Sequence, residues 1–186
     1  MTTPRRPIIA VFGGSAAQPD DPLYRRARLL GEALTVGGFA VASGGYGGVM
    51  EAVSLGAHQA GGEVHGVGCH IFTHRSPNPY IGNLKMTDDL YDRTRQLIEI
   101  AHGCVVLDGK SGTLAEFSQV WALHRARCVG RYPVVLLSSA WSRLFRVMVE
   151  DGLIEPGQQE LTHCVDDADD VDEAVRRLRE YLTETE

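Results

Sequence analysis

Residues 107–116, Leu-Asp-Gly-Lys-Ser-Gly-Thr-Leu-Ala-Glu, decide the fold of this chain, because they follow the apolar run 104–107 and open a helical pattern. This order of elements predicts a buried strand, a glycine-rich turn and then a helix. The first N–H groups of a helix have no partner within it, and the helix dipole adds partial positive charge at that end. The turn therefore predicts a site for phosphate or another small anion, with Glu116 expected in the first helical turn.

Two further glycine loops follow apolar runs in the same way. Residues 43–48, Ser-Gly-Gly-Tyr-Gly-Gly, come after the run 39–42 and lead into Val-Met-Glu-Ala at 49–52. Gly13-Gly14-Ser15 follows the first apolar run of the chain. One such loop needs no ligand, since glycine serves any tight turn. Three at one edge of a sheet favour a nucleotide site.

Short apolar runs alternate with helical periodicity along the whole chain. This pattern predicts an α/β fold: one doubly wound, mainly parallel, Rossmann-like sheet with helices on both faces. Segment 69–85, which is rich in Pro and Gly, is expected to form a long loop over the carboxyl edge of the strands. The predicted strands are 8–12, 39–42, 63–67, 104–107 and 133–137, and the predicted helices are about 23–36, 48–60, 89–101, 112–127, 141–151 and 169–182.

Length and charge limit the class of protein. The 186 residues fit a single domain over 1–186, with flexible ends expected at 1–6 and 183–186. A net charge of −6 argues against nucleic acid as a partner, since that task needs a clustered basic face. The sequence contains no apolar run long enough to span a membrane and no signal-peptide pattern, so a cytoplasmic location and no membrane partner are expected.

Three familiar site patterns are each incomplete in this sequence. Gly13 opens no G-x-G-x-x-G fingerprint, which argues against ordinary dinucleotide binding. Residues 109–111, Gly-Lys-Ser, resemble the end of a Walker A loop, but Cys104 stands where its first glycine is required. Residues 69–70, Cys-His, and His74 lack a fourth ligand, which argues against a metal site.

Arg93 has an unusual position in the predicted helix 89–101. On a helical wheel, Leu90, Leu97 and Ala101 define the buried side, and Arg93 lies at its border. An arginine there needs an anionic partner, because it does not lose its charge by deprotonation. Glu116 and a ligand phosphate are the two candidates; a surface arginine whose stem packs on the protein is the alternative.

The two longer glycine loops resemble motifs of the LOG ("lonely guy") family, the phosphoribohydrolases that activate cytokinins. Residues 43–52 are similar to the family's glycine-rich segment ending in Met-Glu-Ala, and 108–116 to its P-G-G-x-G-T-x-x-E motif. Arg93, fifteen residues before that motif, matches the arginine of the family's catalytic pair, and Glu116 matches the glutamate. Asp108 and Lys110 depart from the motif, replacing its proline and second glycine.

The resemblance implies a hydrolase that cleaves the N-glycosidic bond of a nucleoside 5′-monophosphate, such as AMP or a cytokinin riboside monophosphate. It implies Arg93 and Glu116 as catalytic residues, a homodimer, and no metal or organic cofactor. The phosphate and ribose site would comprise Gly44, Gly45, Gly47, Gly48, Gly109, Lys110, Ser111, Gly112 and Thr113, with Gly13, Ser15, Met50 and Glu51 as further pocket residues.

A non-catalytic relative is the alternative. The superfamily that the LOG family resembles also contains molybdenum-cofactor carriers and ligand sensors, so a protein that binds a nucleotide or molybdenum cofactor without turnover has the same pattern. The retained Arg93 and Glu116 favour the enzyme. The altered Asp108 and Lys110 favour the binding protein.

Overall fold

The computed structural model describes residues 6–167 and 169–183, which form a parallel sheet with helices on both faces. The strands are β1 (Ile8–Phe12), β2 (Ala40–Ser43), β3 (Val64–Cys69), β4 (Asn83–Thr87), β5 (Gly103–Val106), β6 (Val134–Leu136) and β7 (Thr162–Cys164). The helices are α1 (Pro22–Val36), α2 (Val49–Gln59), α3 (Leu90–Ile100), α4 (Ser111–Arg125), α5 (Ser139–Glu150), α6 (Pro156–Glu160) and α7 (Val171–Thr183).

The order of the strands places the glycine loops together. The seven strands run β4-β3-β2-β1-β5-β6-β7, and every neighbouring pair is parallel. The chain builds outward from β1 to β4 and then returns through α3 to β5, on the other side of β1. The direction of winding therefore reverses between β1 and β5. Ligands of open α/β sheets bind beyond the carboxyl ends of the strands at such a reversal.

The central strand explains why both faces need helices. Along β1, Ile9 and Val11 pack into a core shared with α1, α2 and α7. Ile8, Ala10 and Phe12 point the other way, into a core shared with α3, α4 and α5. All five residues are buried, so an apolar run replaces the polar–apolar alternation of a half-exposed strand. The predicted doubly wound α/β class is confirmed.

Three short elements were not predicted. Strand β4 occupies the end of the segment 69–85 that was expected to be a loop, and residues 83–85 are exposed there because β4 is an edge strand. Helix α6 has five residues and β7 three, which is too short for a periodic signal. The expected flexible ends at 1–6 and 183–186 fall mostly outside the described residues, although Thr183 is the last residue of α7.

Within 6–167 and 169–183, no helix is both long enough and apolar enough to cross a bilayer.

Candidate functional site

A cavity of about 530 Å³ opens beside the carboxyl ends of β1, β2 and β5. Of the residues predicted for the site, it is lined by Gly13, Ser15, Gly44, Met50, Arg93, Gly109, Lys110, Gly112, Thr113 and Glu116. Predicted residues that do not line it are Gly45, Gly47, Gly48, Ser111 and Glu51. The cavity is also lined by residues that were not predicted for the site, namely Val11, Phe12, Gly14, Ala16, Ala17, Leu23, Tyr46, Phe72, Arg75 and Asp108.

Arg93 and Glu116 meet inside this cavity. Arg93 Nη1 lies 3.5 Å from Glu116 Oε1, and the two side chains are only 10% and 14% exposed. Arg93 Nε donates to the carbonyl oxygen of Val67 at 3.0 Å, and Nη2 lies 3.6 Å from the sulfur of Met50. These contacts hold the guanidinium in one place, with part of its hydrogen-bonding capacity directed at the cavity.

The helical wheel placed Arg93 correctly and Leu90 wrongly. Arg93 is buried at 8% exposure, whereas Leu90 is 43% exposed because it stands at the first residue of α3, beyond the packed part of the helix. Leu97 is fully buried, as expected. Of the two partners considered for Arg93, the structure brings Glu116 to it.

Glu116 was expected in the first turn of its helix, and this is wrong. α4 begins at Ser111, so Glu116 is the sixth residue and lies in the second turn. The helix start therefore gives it little direct stabilisation, since that effect falls off within one turn. Burial raises the pKa of Glu116 to about 7, and the guanidinium of Arg93 offsets part of that rise. A carboxyl group with this pKa changes protonation near neutral pH.

The loop between β2 and α2 owes its glycines to close packing. Gly45 and Gly48 have φ of +80° and +71°, a backbone region that side chains disfavour. A Cβ at Gly48 would lie 2.5 Å from the carbonyl oxygen of Gly14, which itself accepts a hydrogen bond from Val49 N at 2.9 Å. The loops after β1 and β2 are therefore locked together, and Gly48 supports the cavity without lining it.

The loop between β5 and α4 presents the start of a helix to the cavity. Lys110 caps α4 with φ −116°, an extended conformation open to any residue, and its exposed side chain makes no capping hydrogen bond. Glycine is therefore not required at this position of the motif. Thr113 is buried, and Gly109 packs so closely on it that a Cβ there would lie 2.2 Å from Thr113 Oγ1.

The segment after β3 closes another side of the cavity. The guanidinium carbons of Arg75 and Arg93 lie 5.3 and 5.9 Å from the centre of the Phe72 ring. The Phe72 ring also meets Tyr46 edge to face. Asn78 ties this segment down, because its backbone N donates to Gly45 O at 2.8 Å. The sequence predicted a long loop over this edge of the sheet, but it did not indicate which side chains of the loop would contact the cavity.

These features define a Rossmann-like α/β protein with a cavity at the reversal of the sheet. Residues 50–175 match the family described as "Possible lysine decarboxylase", and the chain belongs to that family, which includes the LOG proteins. The expected family is thereby confirmed. No curated protein sequence matches the chain.

Solved structures share this fold over nearly their whole length. A molybdenum cofactor binding protein from the phototrophic bacterium Rippkaea orientalis is 22% identical with a TM-score of 0.73, covering 95% of this chain and 99% of that one. The structural-genomics target TM1055 is 28% identical with a TM-score of 0.74, covering 94% and 99%. The molybdenum cofactor carrier protein from Chlamydomonas reinhardtii is 24% identical with a TM-score of 0.70, covering 97% and 99%.

The lysines of this chain do not fit the decarboxylase activity named in the family's description. A pyridoxal phosphate enzyme needs a lysine for its Schiff base. The chain has two lysines, Lys85 and Lys110. Lys85 is exposed on the edge strand β4 and does not line the cavity, and Lys110 is exposed at the start of α4. Neither lies in a buried, apolar environment such as the one that activates a Schiff-base lysine.

Proposed function

We propose that this protein hydrolyses the N-glycosidic bond of a nucleoside 5′-monophosphate. The bond between ribose C1′ and the base nitrogen breaks, water supplies a hydroxyl to C1′ and a proton to the base, and free base and ribose 5-phosphate leave. The observation that carries the proposal is the buried contact between Arg93 and Glu116, 3.5 Å apart in the cavity at the reversal of the sheet.

The phosphate would bind at the start of α4. Backbone N–H groups there have no partner within the helix, and Gly112, where a Cβ would meet nothing within 4 Å, leaves them open to a ligand. Lys110 adds a positive charge at the same wall. The side chain of Thr113 supplies a hydroxyl close to the loop.

Glu116 would act on the sugar. Glycosidic bonds break through a state in which positive charge develops at C1′, and a carboxylate beside that carbon stabilises it. A pKa of about 7 leaves a large share of Glu116 ionised at neutral pH, and Arg93 favours that ionised form. Arg93 would also orient Glu116 and contact the substrate, because Val67 and Met50 fix its guanidinium. No step needs a metal or an organic cofactor.

A binding protein without turnover is the second candidate. It is favoured by Asp108 and Lys110, which line the cavity and give this wall charges that the family motif lacks. Such a protein would use the same loops to hold a nucleotide or a molybdenum cofactor. The molybdenum cofactor proteins are 22–24% identical to this chain in sequence, and this similarity concerns the fold alone. It is compatible with either candidate.

The homodimer implied by the family is part of this proposal. Leu84 on β4 and Leu90 and Tyr91 at the start of α3 are large apolar side chains that stay exposed, at 48%, 43% and 83%. Exposed apolar side chains on adjoining elements favour association with another chain. Sedimentation equilibrium of the protein, with Tyr91→Arg as the variant, tests this part.

Base release separates the enzyme from the binding protein. The wild type should release adenine from AMP, measured by chromatography. Glu116→Gln should lower turnover by roughly 10²-fold while leaving AMP affinity nearly unchanged, because the carboxylate acts mainly on the transition state. Arg93→Ala should weaken both. A wild type that binds a nucleoside monophosphate tightly but releases no base from any common purine or pyrimidine substrate would establish the second candidate.

A further inference from the structure

The acidic residue in the loop before α4 has two partners. The carboxylate of Asp108 accepts a hydrogen bond from Ser138 Oγ at 2.5 Å and one from Arg26 Nη1 at 3.0 Å. Ser138 lies in the loop after β6, where it also caps α5, and Arg26 comes from α1. Side chains from two elements that are distant in sequence therefore converge on one residue of the cavity wall.

Arg26 is placed between two carboxylates. Its Nη1 reaches Asp108 and its Nε lies 2.9 Å from Asp169 Oδ1, before α7. Its side chain is 15% exposed, whereas that of Asp108 is 42% exposed. The planar guanidinium can bind two acceptors in fixed directions, which a lysine ammonium does less well. The charge of Arg26 is thus held close to Asp108 under partial shielding from water.

The charge of Asp108 conflicts with the proposed ligand. Asp108 belongs to the loop that leads into the helix start, and it lines the same cavity as Gly109, Lys110 and Gly112. An uncompensated carboxylate there would repel a phosphate, because both groups carry negative charge. Arg26 removes this conflict by pairing with the carboxylate from outside the cavity, since it does not itself line the wall.

We propose that Arg26 is a positioning residue of the anion site: it neutralises Asp108 and directs that carboxylate toward Ser138, which lets a loop with an acidic first residue accept a phosphate. The inference rests on the proposed binding of a monophosphate at the start of α4. A loop with proline at position 108 would not need this neutralising arginine, because proline carries no charge. The phosphate-binding wall is therefore supported from behind by a residue of α1, far from the motif in sequence.

Charge rescue tests this role. Arg26→Met keeps the length of the stem and removes the charge, so affinity for AMP and for inorganic phosphate, measured by calorimetry, should fall by about tenfold or more. Adenosine, which has no phosphate, should bind as before. The double variant Arg26→Met with Asp108→Asn should recover most of the lost affinity, because the unpaired carboxylate is gone. Arg28→Met is the matched control, since Arg28 on the same helix hydrogen-bonds Gln59 instead of the loop.

Each outcome decides the inference. Loss of AMP binding in Arg26→Met with recovery in the double variant supports it, and the loss should shrink in high salt. Unchanged AMP affinity in Arg26→Met overturns it. Equal losses for AMP and adenosine, without recovery in the double variant, also overturn it, because they indicate general damage to the fold. If the wild type binds neither AMP nor phosphate, the proposed function itself fails and this inference fails with it.

Discussion

The guanidinium of Arg93 occupies the space that a side chain at Gly44 would need: a Cβ built on Gly44 would lie 1.5 Å from Arg93 Nη2. A side chain at position 44 would therefore force the guanidinium out of its present place beside Glu116. The glycine loop after β2 thus has a second role beyond its turn, because it makes room for the charged pair of the cavity. This explains why a residue with an ordinary backbone conformation is glycine at this point.

Gly44→Ala should displace Arg93 and separate it from Glu116. We expect base release from AMP to fall by roughly 10²-fold, as for a misplaced catalytic group, with a modest loss of stability from overpacking. Gly47→Ala is the steric control within the loop, because its Cβ would come no closer than 3.8 Å, to Glu51 Oε2. Turnover and a crystal structure of each variant check this. Arg93 unmoved in Gly44→Ala would contradict the steric argument.

The sequence was sufficient for the five inner strands of the sheet and for the central pair of the site. Apolar runs such as β1 and β5 are buried on both faces, so their pattern identifies them without tertiary information. Arg93 and Glu116 could be paired from motif spacing and from the helical wheel together. Edge strand β4 could not be predicted, because its exposed residues 83–85 lack the apolar character of the inner strands.

The remaining contacts of the site depend on tertiary packing. Arg26 reaches Asp108 across 82 residues of sequence, and Phe72 reaches Arg93 from a segment without periodicity. No local pattern specifies such pairs, since each depends on the crossing of separate elements. Gly45 and Gly48 show the opposite difficulty, in which a residue is conspicuous in the sequence but does not contact the ligand site. Both adopt positive φ angles, which explains why they are glycine, and neither lines the cavity.

Gly112→Val tests the helix start as the phosphate site. A Cβ at Gly112 meets nothing within 4 Å, so the variant should fold normally. Its branched side chain would stand in front of the free N–H groups, and AMP binding should be lost. Gly130→Val is the control, because a Cβ at Gly130 also meets nothing within 4 Å and Gly130 lies away from the cavity lining. Equal AMP affinity for Gly112→Val and the wild type, by calorimetry, would remove the assignment.

Lys110 should contribute directly to binding the phosphate. Its exposed ammonium has no acidic partner among the residues of the described ranges, and it lines the cavity. Lys110→Met should weaken AMP binding by about tenfold and leave adenosine binding unchanged, since only the charge-assisted contact is lost. Lys110→Gly should behave like Lys110→Met, because φ at this position does not demand glycine. Tighter AMP binding in Lys110→Gly would indicate that the lysine obstructs the site.

Glu116 should make the stability of the protein depend on pH. Its pKa is about 7 in the folded chain against 4.5 for an unperturbed glutamate, so the folded state holds the proton more strongly. This contribution to stability is complete below pH 4.5, is lost as the pH rises from 4.5 to 7, and changes no further above that. At 1.36 kcal/mol per pH unit, the loss is about 3 kcal/mol.

The comparison with Glu116→Gln isolates this contribution. The variant keeps the size of the side chain and cannot titrate. It leaves Arg93 without a carboxylate, but this lowers the free energy of unfolding of the variant equally at both pH values, so the effect cancels in the comparison. In urea unfolding, the difference in free energy of unfolding between the wild type and the variant should change by roughly 2.5 kcal/mol from pH 5 to pH 8, because only the interval from pH 5 to 7 contributes. Glu150→Gln, which removes an exposed carboxylate, is the control. A wild-type-to-Glu116→Gln difference that is the same at both pH values would mean that Glu116 is ionised throughout this range in the folded protein.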